Sequence, residues 1–138
     1  MQHLLDTGKY DVWIFDVIPP SPAISGTHFV PGDLTSPQSI REACTAKNVV
    51  FHVATAAPTA QNAASAKALM QAVNVEGTRN VISACEAAKV SRLIVTSSAS
   101  VVFDGSPLHT VDETLPYANP PLDYYTSTKA QVRSHLSS

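Results

Sequence analysis

Proline placement limits where this chain can form long regular elements. The sequence contains 10 prolines, and residues 59–106 contain none, because the prolines lie at positions 19, 20, 22, 31, 37, 58, 107, 116, 120 and 121. A proline inside a helix removes a backbone hydrogen bond and costs about 3 kcal/mol. We therefore expect the longest regular elements within residues 59–106.

Short β-rich runs alternate with helical patterns along the chain. Strands are predicted at 11–16 (DVWIFD), 27–30 (THFV), 48–53 (NVVFHV) and 92–96 (RLIVT). Helices are predicted at 2–6, at 37–45 after a Ser36 cap, at 63–88, and from 123 to the last residue. NVVFHV is apolar throughout, which is typical of a strand covered on both faces. Strands that alternate with helices indicate an α/β fold with a Rossmann-like, doubly wound parallel sheet.

The predicted long helix carries a narrow stripe of mostly small side chains. Its members recur at steps of three and four residues and are Leu69, Val73, Gly77, Val81, Ala84 and Ala88. A glycine inside a helix destabilises it by about 1 kcal/mol relative to alanine. Gly77 is therefore expected to let the helix approach a sheet closely.

Composition excludes several classes of protein. The chain has 138 residues, with 44% hydrophobic and 14% charged residues, which argues against intrinsic disorder. A net charge of -2 argues against nucleic-acid binding, because there is no excess of basic residues to neutralise phosphates. No apolar run approaches the length of about 18 residues that spans a membrane. Cys44 and Cys85 are interpreted as buried structural thiols, with a disulfide or redox pair as the alternative. The five histidines share no metal-ligand spacing, so no metal is predicted.

A doubly wound sheet has the strand order 3-2-1-4-5-6 and begins with a strand and a glycine-rich turn that binds pyrophosphate. This sequence begins with a predicted helix instead, so we expect residues 1–138 to form a partial NAD-binding domain without the first strand, the glycine-rich loop or the C-terminal substrate-binding domain. If residues 11–16 and 48–53 are the second and fourth strands, a gap of about 10 Å separates them. The alternative is that these two strands pair directly.

Three predicted strands end in residues suited to a nucleotide, because ligands gather beyond the carboxyl ends of parallel strands. Asp16 can accept hydrogen bonds from a ribose diol and repel a 2′-phosphate, which favours NAD over NADP, or it can simply begin the next loop. Asp33 can flank an adenine amine or turn the chain. The small residues Ala54, Thr55 and Ala56 allow backbone to approach a flat cofactor. His52 is interpreted as a hydrogen-bonded core histidine.

The residues that follow a fourth predicted strand give a stronger indication of a catalytic function. The strand at residues 92–96 runs into Ser97, Ser98 and Ser100, and Tyr125 and Lys129 follow four residues apart, on one helix face. A phenol has a pKa of about 10 and is a poor base at neutral pH, but an ammonium within a few ångströms favours the phenolate. Such a phenol can exchange a proton with a carbinol while hydride leaves for nicotinamide.

Four stretches together resemble the extended short-chain dehydrogenase/reductases. They are 49–58 (VVFHVATAAP), 74–85 (NVEGTRNVISAC), 92–105 (RLIVTSSASVVFDG) and 112–130 (DETLPYANPPLDYYTSTKA). Within that superfamily the chain resembles the 3β-hydroxysteroid dehydrogenase family, and most of all its branch of decarboxylating sterol-4α-carboxylate 3-dehydrogenases. The resemblance implies that Tyr125 is the catalytic acid/base, that Lys129 is its partner, and that Ser98 binds the carbinol, with Ser97 and Ser100 as substitutes.

The same resemblance assigns the cofactor contacts. It places Asp16 on the adenosine ribose, Asp33 and Leu34 on the adenine, and Ala54, Thr55 and Ala56 along the cofactor edge. Ser97, Tyr125 and Lys129 are also expected to contact NAD. Asn74 either helps to position the cofactor or ties its helix to a loop.

The resemblance implies NAD-dependent oxidation of a sterol 3β-hydroxyl followed by loss of a 4α-carboxylate as carbon dioxide, with this chain as an impaired fragment. Family members are expected at the endoplasmic reticulum membrane and as possible homodimers, whereas this chain alone is expected to be soluble and cytoplasmic. Two alternatives remain open. One is a non-catalytic product that acts at most as an interaction partner, and the other is a reductase of another small carbonyl compound.

Overall fold

The computed structural model describes residues 1–58, 63–112 and 114–136 of the chain. The helices are α1 (Gln2–Asp6), α2 (Pro37–Cys44), α3 (Ala63–Met70), α4 (Thr78–Ala87) and α5 (Tyr124–Leu136). The strands are β1 (Val12–Asp16), β2 (Thr27–Pro31), β3 (Val49–His52) and β4 (Arg92–Val95). Each predicted strand and helix is confirmed to within two residues at the ends that the structure describes. The last two residues of the final predicted helix lie outside the described part of the chain.

Side-chain caps fix where two of the helices begin. The Ser36 hydroxyl accepts a hydrogen bond from the Ser39 amide at 3.4 Å, and Pro37 occupies the first helical position of α2. At α5 the Asp123 carboxylate accepts from the Thr126 amide at 2.7 Å. The Asp123 contact sets the first turn of α5, which is the turn that carries Tyr125.

The four strands form two separate parallel pairs. β1 pairs with β2, and β3 pairs with β4, with Val12 opposite Thr27 and Val49 opposite Arg92. β1 and β3 are not hydrogen-bonded to each other, so the alternative in which they pair directly is wrong. This separation is what the strand order of a doubly wound sheet predicts when another strand lies between the two pairs.

One hydrophobic core holds the two strand pairs together. Its buried members come from α2 and α4 and are Ile40, Cys44, Val81, Ala84 and Cys85. Phe15 of β1 packs against this cluster, and so do Val50 of β3 and Leu93 of β4. Both pairs therefore rest on the same helical layer.

The prediction that β3 is covered on both faces is wrong for the described residues. Val50 is half-buried and His52 is buried, whereas Phe51 is 51% exposed and Val53, just beyond the strand, is 66% exposed. The helical layer of α2 and α4 covers only the side that carries Val50. An apolar strand sequence indicates that both faces of the strand favour burial, but it does not indicate which segment packs on each face.

The predicted long helix is continuous from α3 to α4 but contains a π-helical segment, Gln71–Gly77, in its middle. A π-turn holds an extra residue, which rotates everything before it relative to everything after it. The predicted stripe is therefore correct at Gly77, Val81 and Ala84 but wrong before them. Leu69 is 51% exposed, and Met70 and Asn74 take the buried positions that the periodic pattern gives to Leu69 and Val73.

Gly77 permits a close approach, as predicted, but to a loop rather than to a sheet. A Cβ atom at Gly77 would lie 3.0 Å from the Cβ of Leu34, which follows β2. The side-chain amide of Asn80, one turn later, donates to the Leu34 carbonyl at 3.1 Å. These two contacts hold the loop after β2 against the start of α4.

Cys44 and Cys85 are both buried, unbridged thiols, which confirms the structural interpretation. They are neighbours nonetheless, because α2 and α4 bring their sulfur atoms to 4.0 Å. Burial is the main cause that raises the pKa of Cys44 and raises that of Cys85 to about 12.

Because the thiolate is the reactive form, we expect both cysteines to react at least about a hundredfold more slowly with an aromatic disulfide reagent at pH 8 in the folded chain than in guanidinium. Absorbance of the released thiolate measures both rates. Equal rates in the two conditions would contradict the buried placement.

Candidate active site

Tyr125 and Lys129 lie on the first turns of α5, beside the carboxyl end of β4. The Lys129 ammonium donates to the carbonyl of Thr96 at 3.3 Å and lies 6.0 Å from the centroid of the Tyr125 ring. Thr96 directly follows β4 and precedes the three serines. The predicted pair is thus on one helix face, and the lysine bridges that face to the serine segment.

Lys129 is a buried cation. The residue is only 8% exposed, and desolvation lowers the pKa of its ammonium. In the described part of the chain no carboxylate lies within ion-pair distance of it. An unpaired ammonium at this place favours negative charge close by, such as a phenolate oxygen.

The serine segment has a defined shape. Ser98 caps a short 3₁₀ helix, Ala99–Val102, and its hydroxyl accepts from the Ser100 amide at 3.2 Å. The hydroxyls of Ser98 and Ser100 lie 2.8 Å apart, and both residues are half-buried, whereas Ser97 is exposed. α5 packs against this 3₁₀ helix, whose N-terminal cap is Ser98, so the serine segment and the helix that carries Tyr125 and Lys129 are neighbours.

Asn74 ties its helix to a loop, which is one of the two roles predicted for it. Its side-chain oxygen accepts from the Ala56 amide at 2.7 Å and from the Thr55 hydroxyl at 3.1 Å. Its side-chain nitrogen donates to the Ala56 carbonyl at 3.0 Å and to the Thr128 hydroxyl at 3.1 Å. Asn74 therefore fixes Thr55 and Ala56, two of the small residues after β3, and connects them to α5.

His52 is a hydrogen-bonded core histidine, as predicted. Its Nε2 atom lies 2.8 Å from the Thr78 hydroxyl, which itself donates to the Asn74 carbonyl at 2.6 Å. Because the hydroxyl proton is used on that carbonyl, Nε2 must be the donor to Thr78. Burial, and next the charge of Lys129, lowers the pKa of His52 to about 4.

Asp16 and Asp33 lie at the carboxyl ends of β1 and β2. One oxygen of Asp16 accepts from the Ile18 amide at 3.3 Å, and one oxygen of Asp33 accepts from the Thr35 amide at 2.8 Å. Among the described residues the second oxygen of each carboxylate has no hydrogen bond. Both aspartates therefore shape their loops and keep an acceptor for a ligand. The side chain of Leu34 packs against the α2–α4 core.

Sequence reasoning missed Thr78 and Thr128, which complete this polar network. Thr128 lies between the catalytic candidates in sequence and is fully buried, and its hydroxyl donates to the Tyr125 carbonyl at 2.7 Å. A polar residue on the inward face of a helix is a signal for such a role, but its partners become visible only in three dimensions.

The sequence model of the 3-beta hydroxysteroid dehydrogenase/isomerase family matches residues 1–136. The chain belongs to this family. Its members are dehydrogenases, in agreement with the resemblance found in the four sequence stretches.

The chain is similar to two mammalian proteins of the same name within the 3-beta hydroxysteroid dehydrogenase/isomerase family. The chain is 48% identical over 101 residues to the human decarboxylating sterol-4-alpha-carboxylate 3-dehydrogenase, covering 73% of this chain and 26% of that protein. It is 41% identical over 131 residues to the mouse protein of the same name, covering 94% of this chain and 34% of that protein. The chain thus spans about a quarter to a third of the length of these relatives.

Solved structures support the Rossmann-like fold of this family member. A short-chain dehydrogenase/reductase superfamily protein from Agrobacterium tumefaciens with bound NAD matches with a TM-score of 0.81 and 29% identity, covering 98% of this chain and 39% of that chain. The UDP-glucose 4-epimerase of Thermus thermophilus matches with a TM-score of 0.84 and 23% identity, covering 99% and 44%, and supports the fold alone. Both matches cover nearly the whole of this chain, so the arrangement of its two strand pairs and helices is one that these folds share.

The described residues fit parts of a dinucleotide. Asp16 and Asp33 have spare acceptors, and the loop at residues 54–56 has small side chains. No described helix begins after a glycine-rich turn, so the residues that fit are those for the adenosine and the nicotinamide riboside. Within the described ranges, no helix is both long and apolar enough to cross a lipid bilayer.

Proposed function

We propose that this chain carries the nucleotide-binding and proton-transfer residues of an NAD-dependent sterol 3β-dehydrogenase that decarboxylates a 4α-carboxysterol. Membership of the 3-beta hydroxysteroid dehydrogenase/isomerase family over residues 1–136 is the observation that carries the proposal. The names of the human and mouse relatives support the substrate class. In this proposal residues 1–138 are part of the NAD-binding domain, and the substrate is bound largely by other residues of the whole protein.

Asp16 would hold the adenosine ribose through its spare carboxylate oxygen, which also disfavours the 2′-phosphate of NADP by charge repulsion. Asp33 and the backbone at Leu34 would lie beside the adenine. The loop at residues 54–56, fixed by Asn74, would lie along the cofactor edge, and Lys129 would hold the nicotinamide ribose. Ser97, which is exposed and directly precedes Ser98, would border the nicotinamide.

Bound NAD would supply the acceptor for the hydride that leaves C3 of the sterol. The phenol oxygen of Tyr125 takes the proton of the 3β-hydroxyl, and Lys129 favours the charged form of that oxygen in a buried setting. Ser98 would donate to the same substrate oxygen and keep it aligned. Its own hydroxyl is already oriented by the Ser100 amide.

Decarboxylation then follows from the substrate. Oxidation makes a ketone at C3, which lies β to the carboxylate on C4. The C4–carboxylate bond breaks, carbon dioxide leaves, and its bonding electrons move into an enolate whose oxygen is the former carbonyl oxygen. A proton added at C4 restores the ketone. The residues that stabilise an alkoxide in the first step, Ser98 and Tyr125, are suited to stabilise this enolate.

The full-length protein incubated with NAD and a 3β-hydroxy-4α-carboxysterol is expected to form NADH and carbon dioxide in equal amounts. The same sterol without its carboxylate should give NADH alone, and NADP should support a lower rate than NAD. NADH fluorescence and isotopic carbon dioxide release measure the two products. Absence of NADH with both sterols, in a preparation that binds NAD, would refute the proposed substrate class.

A further inference from the structure

We propose that Thr128 is a positioning residue whose hydroxyl holds the cofactor loop and the catalytic turn of α5 in one arrangement. The inference rests on the proposed function, in which Tyr125 and Lys129 act on a substrate beside NAD. It concerns a residue that contacts neither the reacting atoms nor the cofactor.

The Thr128 hydroxyl both donates and accepts a hydrogen bond. Its single proton goes to the Tyr125 carbonyl at 2.7 Å, and its oxygen accepts from the Asn74 side-chain amide at 3.1 Å. Thr128 is 0% exposed and Asn74 is 2% exposed, so water cannot replace either partner. The hydroxyl thus links the backbone of the tyrosine turn to a buried side chain on the preceding helix.

Asn74 can adopt only one amide orientation here. Its oxygen faces the Ala56 N–H group at 2.7 Å, and its nitrogen faces two acceptors, the Ala56 carbonyl at 3.0 Å and Thr128. A flipped amide would set donor against donor at Ala56. The direction of the Thr128 contact is therefore fixed by the loop after β3.

The backbone of Asn74 is anchored as well. Its carbonyl accepts from the Thr78 hydroxyl at 2.6 Å, and His52 on β3 donates to Thr78 at 2.8 Å. Asn74 is the central residue of the π-helical segment Gln71–Gly77, and Thr78 directly follows it. Such π-turns are frequent at functional sites. Both the backbone and the side chain of Asn74 are therefore held by hydrogen bonds, and the Thr128 hydroxyl connects α5 to this residue.

The consequence for catalysis is geometric. Asn74 holds the loop at residues 54–56, along which the cofactor would lie. Thr128, which is hydrogen-bonded to Asn74, also holds the backbone of the turn that carries Tyr125. Displacement of reacting groups by about 1 Å can lower the rate by about a hundredfold. Loss of the Thr128 hydroxyl should therefore affect turnover more strongly than cofactor affinity.

The test compares Thr128→Val, which keeps the volume but removes the hydroxyl, with Thr128→Ser, which keeps the hydroxyl but removes a buried methyl group. In the full-length protein we expect Thr128→Val to lower kcat by about tenfold or more and Thr128→Ser by less than about threefold. The KM for NAD should change by less than about threefold in both. Thr126→Val removes the hydroxyl of another buried threonine on α5 and should leave kcat within about twofold.

Hydrogen exchange at the Ala56 amide provides a readout that needs no activity. The exchange rate should rise in Thr128→Val and stay near that of the unmodified protein in Thr128→Ser. If the unmodified protein shows no dehydrogenase activity, the proposed function fails while this exchange pattern still tests the connection. A kcat in Thr128→Ser as low as in Thr128→Val, or unchanged exchange at Ala56 in Thr128→Val, would overturn the positioning role.

Discussion

Replacing Tyr125 with phenylalanine is expected to lower kcat for NADH formation by about a thousandfold and to leave NAD affinity within about threefold. The phenol oxygen is the proposed acceptor of the substrate proton, and positioned acid/base groups contribute about 10² to 10⁴ in rate. The ring itself is retained, so the packing of α5 and the position of Lys129, 6.0 Å from the ring centroid, should be preserved. Stopped-flow NADH fluorescence and calorimetric NAD binding on the full-length protein separate the two effects.

The adjacent Tyr124 provides a matched control. Its hydroxyl donates to the Gln71 side chain at 3.1 Å, and the Lys67 ammonium lies 5.6 Å from its ring centroid, so it too has a polar partner and a nearby cation. Tyr124→Phe removes a comparable hydroxyl from the same helix turn and should retain kcat within about threefold. If Tyr124→Phe loses as much activity as Tyr125→Phe, the proton-transfer role is assigned to the wrong phenol.

Local signals in the sequence predict the elements well because they act over a few residues. The Ser36 cap and Pro37 begin α2 as expected, and the four-residue spacing of Tyr125 and Lys129 places both on one face of α5. The interpretation of the histidine on β3 is also correct, since a polar residue within an apolar strand needs a buried partner. These inferences require no knowledge of what packs against what.

The errors arise where distant segments meet. No local pattern marks the π-helical segment Gln71–Gly77, and a periodic extrapolation through it assigns Leu69 and Val73 to positions that Met70 and Asn74 occupy. The connection between Asn74 and Thr128 escapes prediction for the same reason, because it joins two helices through side chains 54 residues apart. The sulfur contact between α2 and α4 is a third case.

The stability of the folded chain is expected to fall by about 2 kcal/mol between pH 7 and pH 5 because of His52 alone. Burial, aided by the charge of Lys129, lowers the pKa of His52 from its ordinary value of 6.5 to about 4. In the unfolded chain His52 takes up a proton below about pH 6.5, whereas the folded chain resists protonation until about pH 4. The unfolded state therefore binds more protons in this window, so the free energy of unfolding decreases as the pH falls.

Urea unfolding at pH 7 and pH 5 measures this difference, and His52→Gln tests its source. The glutamine amide can donate to Thr78 in place of Nε2 but does not titrate, so the pH dependence should shrink by about 2 kcal/mol. His109→Gln removes an exposed histidine and should leave the dependence unchanged. An unaltered pH dependence in His52→Gln would show that the imidazole is protonated as readily in the folded chain as in the unfolded one.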